Sequence, residues 1–253
     1  MKKIALVTGA TSGIGEATAG LLAQEGYNLI VTGRRTSRLT ELSKKLEKEF
    51  NVTALPLSFD VRSLEEVEKY LLNLPEEWRK INVLVNNAGL AVGLNPVNAG
   101  IYEDWERMID TNVKGLLYVS RIVSDFMMAN GGGHIINLCS IAGKEVYPNG
   151  NVYCATKHAV DALTKAMRID LLPYNIKVSQ ICPGAVETEF SEVRFKGDLD
   201  RAAEVYKGFV PLKARDVADA IMYMVKCPTH VNINDMVIMP AAQANSSIFH
   251  KKR

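Results

Sequence analysis

Two hydrophobic patterns alternate along this chain, and that alternation constrains the fold more than any other feature. Short apolar, β-branched runs recur at residues 4–8, 28–32, 53–57, 83–86, 134–138, 177–181 and 236–239. Stretches of helical periodicity fill the intervals, at residues 15–25, 37–50, 63–74, 103–129, 152–172 and 214–225. Alternation of this kind is satisfied by a parallel sheet with helices on both faces. Strands covered on both faces are continuously apolar, as in Ile4-Ala5-Leu6-Val7. The expectation is therefore an α/β, doubly wound sheet of about seven strands.

The 253 residues suffice for one large core without disulfide staples, and 47% of them are apolar. No linker, repeat or low-complexity tract divides them, so a single domain over residues 1–253 is expected. Thirty basic against 28 acidic residues leave +2, which makes no electrostatic case for a nucleic-acid partner. Cys139, Cys154, Cys182 and Cys227 form no CxxC pair, and no histidine stands at metal-ligand spacing from them. Free thiols in a reducing compartment are expected, and no metal site. The N-terminal apolar run is too short for a secretory leader, and no run nears the roughly 18 residues of a membrane span. A cytoplasmic protein without a membrane partner is expected. The least regular stretch, residues 187–208, is charged and carries Gly197 and Gly208. It reads as an insertion or lid, with a lid-like segment over residues 187–210.

The first apolar run enters Thr8-Gly9-Ala10-Thr11-Ser12-Gly13-Ile14-Gly15, and a helix follows. Glycines permit a tight turn and close backbone approach. A helix N-terminus offers unpaired N–H groups and a positive dipole to a diphosphate. In this Rossmann-like setting Gly9, Thr11, Ser12, Gly13, Ile14 and Gly15 are candidate dinucleotide contacts. The second strand ends in Thr32-Gly33-Arg34-Arg35, where an NAD site would carry a carboxylate for the ribose 2′-hydroxyl. No carboxylate stands there to repel a 2′-phosphate, and Arg34 and Arg35 suit one, so NADP is expected rather than NAD. Asp60-Val61 follows the third strand. It either lies beside the adenine or caps the helix at residues 63–74.

Tyr153 and Lys157 are four apart in a helical stretch and share a face. A tyrosine near its ordinary pKa of about 10 is a poor base at neutral pH. A nearby ammonium and a cationic nicotinamide would favour its phenolate. Ser140 ends the fifth strand, at the sheet edge where open α/β folds bind ligands.

Over essentially its whole length the chain resembles the short-chain dehydrogenases/reductases. The matching pieces occur in order: the glycine turn, Asp60, Asn86-Asn87-Ala88-Gly89, Asn112, Ser140, Tyr153 with Lys157, and Pro183-Gly184 followed by Thr188. The resemblance implies that Tyr153 is the acid/base and that Ser140 polarises the substrate oxygen. Lys157 would hold the nicotinamide ribose and lower the Tyr153 pKa, and Asn112 would hold a proton-relaying water. Asn87 would sit nearest the cofactor. Pro183, Gly184, Val186 and Thr188 would cover the nicotinamide.

One branch is more similar still, the NADP-dependent 3-hydroxy acid dehydrogenases, also called serine 3-dehydrogenases or malonic semialdehyde reductases. The shared runs include Thr32-Gly33-Arg34-Arg35, Pro75-Glu76-Glu77-Trp78, Glu103-Asp104-Trp105, Glu189-Phe190-Ser191 and Val193-Arg194-Phe195-Lys196-Gly197-Asp198. That resemblance implies a small 3-hydroxy acid substrate, of the serine, allo-threonine or 3-hydroxyisobutyrate type, and a homotetramer. Residues 246–253 fall outside it. A small carboxylate substrate wants a cation in its pocket. Arg194 is the candidate clamp, against the alternatives of a solvated lid charge or a salt bridge to Glu192 or Asp198. A general NADPH-dependent carbonyl or 3-oxoacyl reductase, or a non-catalytic NADPH sensor, would use the same scaffold. The complete set of Asn112, Ser140, Tyr153 and Lys157 favours an enzyme over the sensor.

Overall fold

A computed structural model describes residues 2–252; the expected domain limits, Met1 and Arg253, lie outside the described residues. Seven strands form one parallel sheet in the order β3-β2-β1-β4-β5-β6-β9. They are β1 (Ile4–Val7), β2 (Asn28–Gly33), β3 (Ala54–Ser58), β4 (Ile81–Asn86), β5 (Gly133–Leu138), β6 (Ile176–Pro183) and β9 (Asp235–Ile238). From β1 the chain winds outward through β2 and β3. It then returns to β4 on the other side of β1 and winds outward again. The winding therefore reverses between β1 and β4, and the carboxyl ends of those strands part to leave a crevice.

Both faces of the sheet are dry, which is why its strands are apolar throughout. Ala5, Val7, Leu29, Val31 and Val85 point to one face. There they meet Leu22 of α1 (Gly13–Gln24), Leu39 and Leu46 of α2 (Thr36–Phe50), and Val217 and Ile221 of α9 (Ala214–Lys226). Leu6, Ile30, Leu84, Ile135 and Val178 point the other way. They pack on Val67 and Leu71 of α3 (Leu64–Leu71) and on Val123 and Met127 of α5 (Leu116–Ala129). Each fully buried aliphatic side chain is worth about 1.5–3 kcal/mol relative to exposure.

Three expectations change. The stretch at residues 103–129 is not one α-helix. It is α4 (Tyr102–Ile109), a π-helical turn (Asp110–Gly115) and then α5. Hydrophobic periodicity barely registers one widened turn, yet such turns concentrate at functional sites, and Asn112 lies in this one. Second, the helix expected at residues 63–74 ends at Leu71, and Ser63 caps it by accepting the Glu66 N–H at 3.2 Å. Third, the irregular segment after β6 has structure of its own. Short strands β7 (Val186–Glu187) and β8 (Leu212–Lys213) pair in parallel and flank α7 (Phe190–Arg194) and α8 (Leu199–Glu204). The remaining helix, α6 (Asn151–Asp170), packs on β6. Cys139, Cys154 and Cys182 are buried free thiols, and Cys227 is half-buried.

Candidate active site

A cleft of about 340 Å³ opens at the carboxyl edge of the sheet. Its coenzyme end is a turn whose glycine positions disfavour a side chain. Gly9 and Gly13 adopt φ of 63° and 57°, the left-handed region that favours glycine. A Cβ on Gly15 would lie 2.4 Å from both the Asn87 amide nitrogen and the Gly9 carbonyl oxygen. Asn87 donates to the carbonyls of Thr8 (2.8 Å) and Gly9 (3.0 Å), which ties the end of β4 to the turn. Ser12 precedes α1 and makes no side-chain capping bond among the described residues. The first N–H groups of α1 are thus left for an anion, and the turn and helix fit a dinucleotide diphosphate.

Arg34 and Arg35 line this end with Asp60 and Val61. Arg34 stands 3.7 Å from Asp60. Arg35 donates through Nε and Nη2 to Thr11 (3.1 and 2.8 Å) and through Nη2 to Ser12 (2.8 Å). Asp60 does not cap α3, since Ser63 does; it accepts two bonds from the Arg62 guanidinium at 2.9 and 2.6 Å. Burial pushes the Asp60 carboxyl up, but the Arg62 bonds and the Arg34 charge outweigh it and leave it lowered.

A carboxylate from elsewhere in the chain nevertheless reaches Arg35. Glu189, from the lid-like segment, accepts from Arg35 at 2.8 Å and from Arg38 at 2.6 Å. The end of β2 holds no acid in sequence, but the fold delivers one from 154 residues away. Partial burial pushes the Glu189 carboxyl up, yet the hydrogen bonds from Arg35 and Arg38 hold it at about 2.

At the other end Ser140, Tyr153 and Lys157 converge, each less than a tenth exposed. Ser140 follows β5; its Oγ accepts the Ala142 N–H at 3.1 Å and donates to the Pro183 carbonyl at 3.5 Å. Tyr153 and Lys157 lie one turn apart on α6. Lys157 Nζ donates to the Leu138 carbonyl at 2.7 Å and stands 5.9 Å from the Tyr153 ring centre. Burial is the main influence on both. It pushes the Tyr153 phenol well above its ordinary range, with the Ser140 hydroxyl and Arg194 pulling the other way, and it pulls Lys157 down. Without the coenzyme, desolvation disfavours both charged forms. A protonated phenol is the form that delivers a proton to a carbonyl oxygen.

Two expected residues lie behind the wall. Gly15 is packed under the turn, and Asn112 is almost fully buried. Asn112 accepts from the Leu90 N–H and donates to the Leu90 carbonyl, both at 2.8 Å, and donates to Thr156 at 3.0 Å. It thereby fixes the chain that leaves β4. Pro183, Gly184, Val186 and Thr188 form the far wall. Arg194 faces an adjoining cavity of about 20 Å³, shared with Tyr153. Its guanidinium lies 5.3 Å from the Tyr147 ring centre and 5.4 Å from that of Tyr153, and it donates to the Tyr147 hydroxyl. Its Nε is buried without a partner, and it pairs with no carboxylate among the described residues. The salt bridge to Glu192 or Asp198 is therefore not formed.

Sequence reasoning missed several residues of this site. Arg38 follows Arg34 and Arg35 by one helical turn and was findable by that spacing. Glu189 and Tyr147 carried no local signal. Nor did Gln243, whose Oε1 accepts the Ala185 N–H at 2.8 Å and so braces the loop after β6. Phe190, on α7, meets the Tyr153 ring edge-on at 5.7 Å.

The family model described as short chain dehydrogenase matches residues 3–198. The chain is 45% identical over 246 residues to the NADP-dependent 3-hydroxy acid dehydrogenase YdfG of Escherichia coli (strain K12), covering 97% of this chain and 98% of that one. It is 43% identical over 248 residues to sulfoacetaldehyde reductase 2 of Chromohalobacter salexigens, covering 98% of each. The closed form of serine dehydrogenase complexed with NADP+ matches with a TM-score of 0.91 and 44% identity, covering 99% of this chain and 100% of that one. With its all-parallel sheet, its glycine turn and these relatives, the chain belongs to the short-chain dehydrogenase family.

Proposed function

We propose that the protein is an NADP-dependent oxidoreductase acting at C3 of a small 3-hydroxy acid, of the serine, allo-threonine or 3-hydroxyisobutyrate type, and in reverse on the matching semialdehyde or 3-oxo acid. One observation carries this reading: the Arg194 guanidinium, its Nε buried and unpartnered, lies 5.4 Å from the Tyr153 ring centre. That pairing suits a substrate with an oxygen to protonate at one end and a carboxylate at the other. The names of the relatives point the same way.

NADP(H), when bound, supplies or accepts the hydride at its nicotinamide ring. The glycine turn and the α1 N-terminus hold the diphosphate, and Arg34 with Arg35 receives the 2′-phosphate. Asp60 and Val61 flank the adenine, Asn87 steadies the turn, and Pro183 to Thr188 cover the nicotinamide. Ser140 orients the substrate oxygen, and Tyr153 gives up or takes its proton. Lys157 holds the nicotinamide ribose and, with the cofactor's charge, brings the phenol back into range. Asn112 fixes the wall behind them. Positioning supplies most of the rate. The segment at residues 187–210 acts as the lid.

The assembly is a homotetramer in a cytoplasmic setting. Exposed apolar side chains support the first: Tyr102 and Ile109 on α4, and Leu172 after α6. Three buried free thiols support the second. Among the described residues no helix is long and apolar enough to cross a membrane.

Initial rates with NADP and NAD on L-serine, allo-threonine, 3-hydroxyisobutyrate, 3-hydroxypropionate and a neutral secondary alcohol test the reading. NADP preference with turnover of the acids alone is expected. Turnover of the neutral alcohol but not the acids would make the protein a general carbonyl reductase.

A further inference from the structure

The lid places a carboxylate on the arginines that a 2′-phosphate needs. Each oxygen of Glu189 takes one guanidinium, Oε2 that of Arg35 and Oε1 that of Arg38, at 2.8 and 2.6 Å. Four of the five N–H donors of Arg35 are engaged, one on Glu189 and three on Thr11 and Ser12. Arg34, with 55% of its side chain exposed, has only the distant Asp60. A 2′-phosphate reaching this corner therefore meets one open cation and two that share the single negative charge of the lid.

Resting on the NADP reading above, we propose that Glu189 is a specificity-determining residue: its carboxylate competes with the coenzyme 2′-phosphate for Arg35 and Arg38. With Glu189 in place Arg35 has one N–H left for a second anion, and two anions held side by side repel. The phosphate carries up to about two charges and three acceptor oxygens, so it displaces the carboxylate. NAD presents a hydroxyl at that point and leaves the latch closed. The strength of the latch thus sets how far NADP is preferred. Phe190 follows Glu189 directly and Arg194 ends the same short helix, so the same displacement frees the start of α7, which carries both residues facing Tyr153.

The test uses coenzyme fragments that do not reach the nicotinamide site. Calorimetry of the full-length protein with adenosine 2′,5′-bisphosphate and with 5′-AMP isolates the 2′-phosphate contribution. Glu189→Gln keeps the shape of an exposed side chain and removes its charge. In that variant the bisphosphate is expected to bind about three- to tenfold more tightly, the scale of two exposed ion pairs, while AMP changes less than about twofold. An unchanged or narrowed gap between the fragments overturns the proposal. A wild-type protein that does not distinguish the fragments, with Arg35→Ala no different, overturns the NADP reading and this proposal with it. A gap present in wild type and lost in Arg35→Ala, but untouched by Glu189→Gln, overturns this proposal alone.

Discussion

Replacing Arg194 by methionine separates recognition of a substrate's acid group from the chemistry at its hydroxyl. Methionine keeps an unbranched apolar stem between the rings of Tyr147 and Tyr153, 5.3 and 5.4 Å from the guanidinium carbon, so packing is largely preserved. What is lost is a cation with a buried, unpartnered Nε. A hydrogen bond to a charged group is worth about 1.5–3 kcal/mol. At about 1.4 kcal/mol per decade, kcat/KM for 3-hydroxypropionate should fall roughly 10- to 150-fold. Its neutral methyl ester lacks the group that Arg194 would hold and should lose less than about threefold, from slight repacking alone. Steady-state kinetics on both compounds, each at saturating NADP, decides the matter. Equal losses on acid and ester would refute the reasoning, because Arg194 would then act only through Tyr153.

Four further outcomes are expected. Tyr153→Phe should lower kcat by about 10²–10⁴-fold while coenzyme binding, followed by fluorescence, is retained. Burial raises the phenol and the bound coenzyme with Lys157 opposes that, so alcohol oxidation should quicken as pH rises above neutrality while carbonyl reduction stays level there; identical pH profiles would contradict this. Gly15→Ala forces a Cβ to within 2.4 Å of Asn87 and the Gly9 carbonyl. Overpacking plus a weakened Asn87 bond should cost about 2–4 kcal/mol, or about 4–16 °C in Tm; Gly20→Ala, in open space on the same helix, should not destabilise. For Asp161, burial pushes the carboxyl up, but bonds from Lys144, Lys165 and Gln180 hold it at about 2. Its stabilisation is present above the ordinary carboxyl range near 4 and is lost as pH falls toward 2. Asp161→Asn should flatten denaturant-measured stability across that window, by on the order of 2 kcal/mol.

The sheet was legible because its strands are buried on both faces and therefore uninterrupted, as Leu6 and Val7 show by pointing to opposite cores. The glycine turn and the Tyr153–Lys157 pair were legible because their geometry is local, set by a sharp turn and by one helical repeat. Asn112 was reached only through resemblance, since a single widened turn in an otherwise helical stretch leaves almost no periodic trace. The contacts of Glu189 and Gln243 were not legible. Each acts on a partner far along the chain, Arg35 in one case and Ala185 in the other, and only the closed fold brings them together. The depth of burial of Tyr153 was likewise hidden, because spacing shows the neighbouring charge and not the surroundings of the ring.

The central claim is a hydride exchanged between NADP(H) and C3 of a small carboxylate-bearing substrate, with Tyr153 as proton donor. Its most direct test supplies NADPH deuterated at the transferring position together with malonic semialdehyde, and locates the label by NMR. Deuterium at C3 of 3-hydroxypropionate, formed by wild type and almost abolished in Tyr153→Phe, is the predicted result. Unconsumed coenzyme, or label transferred equally well by Tyr153→Phe, would contradict the account.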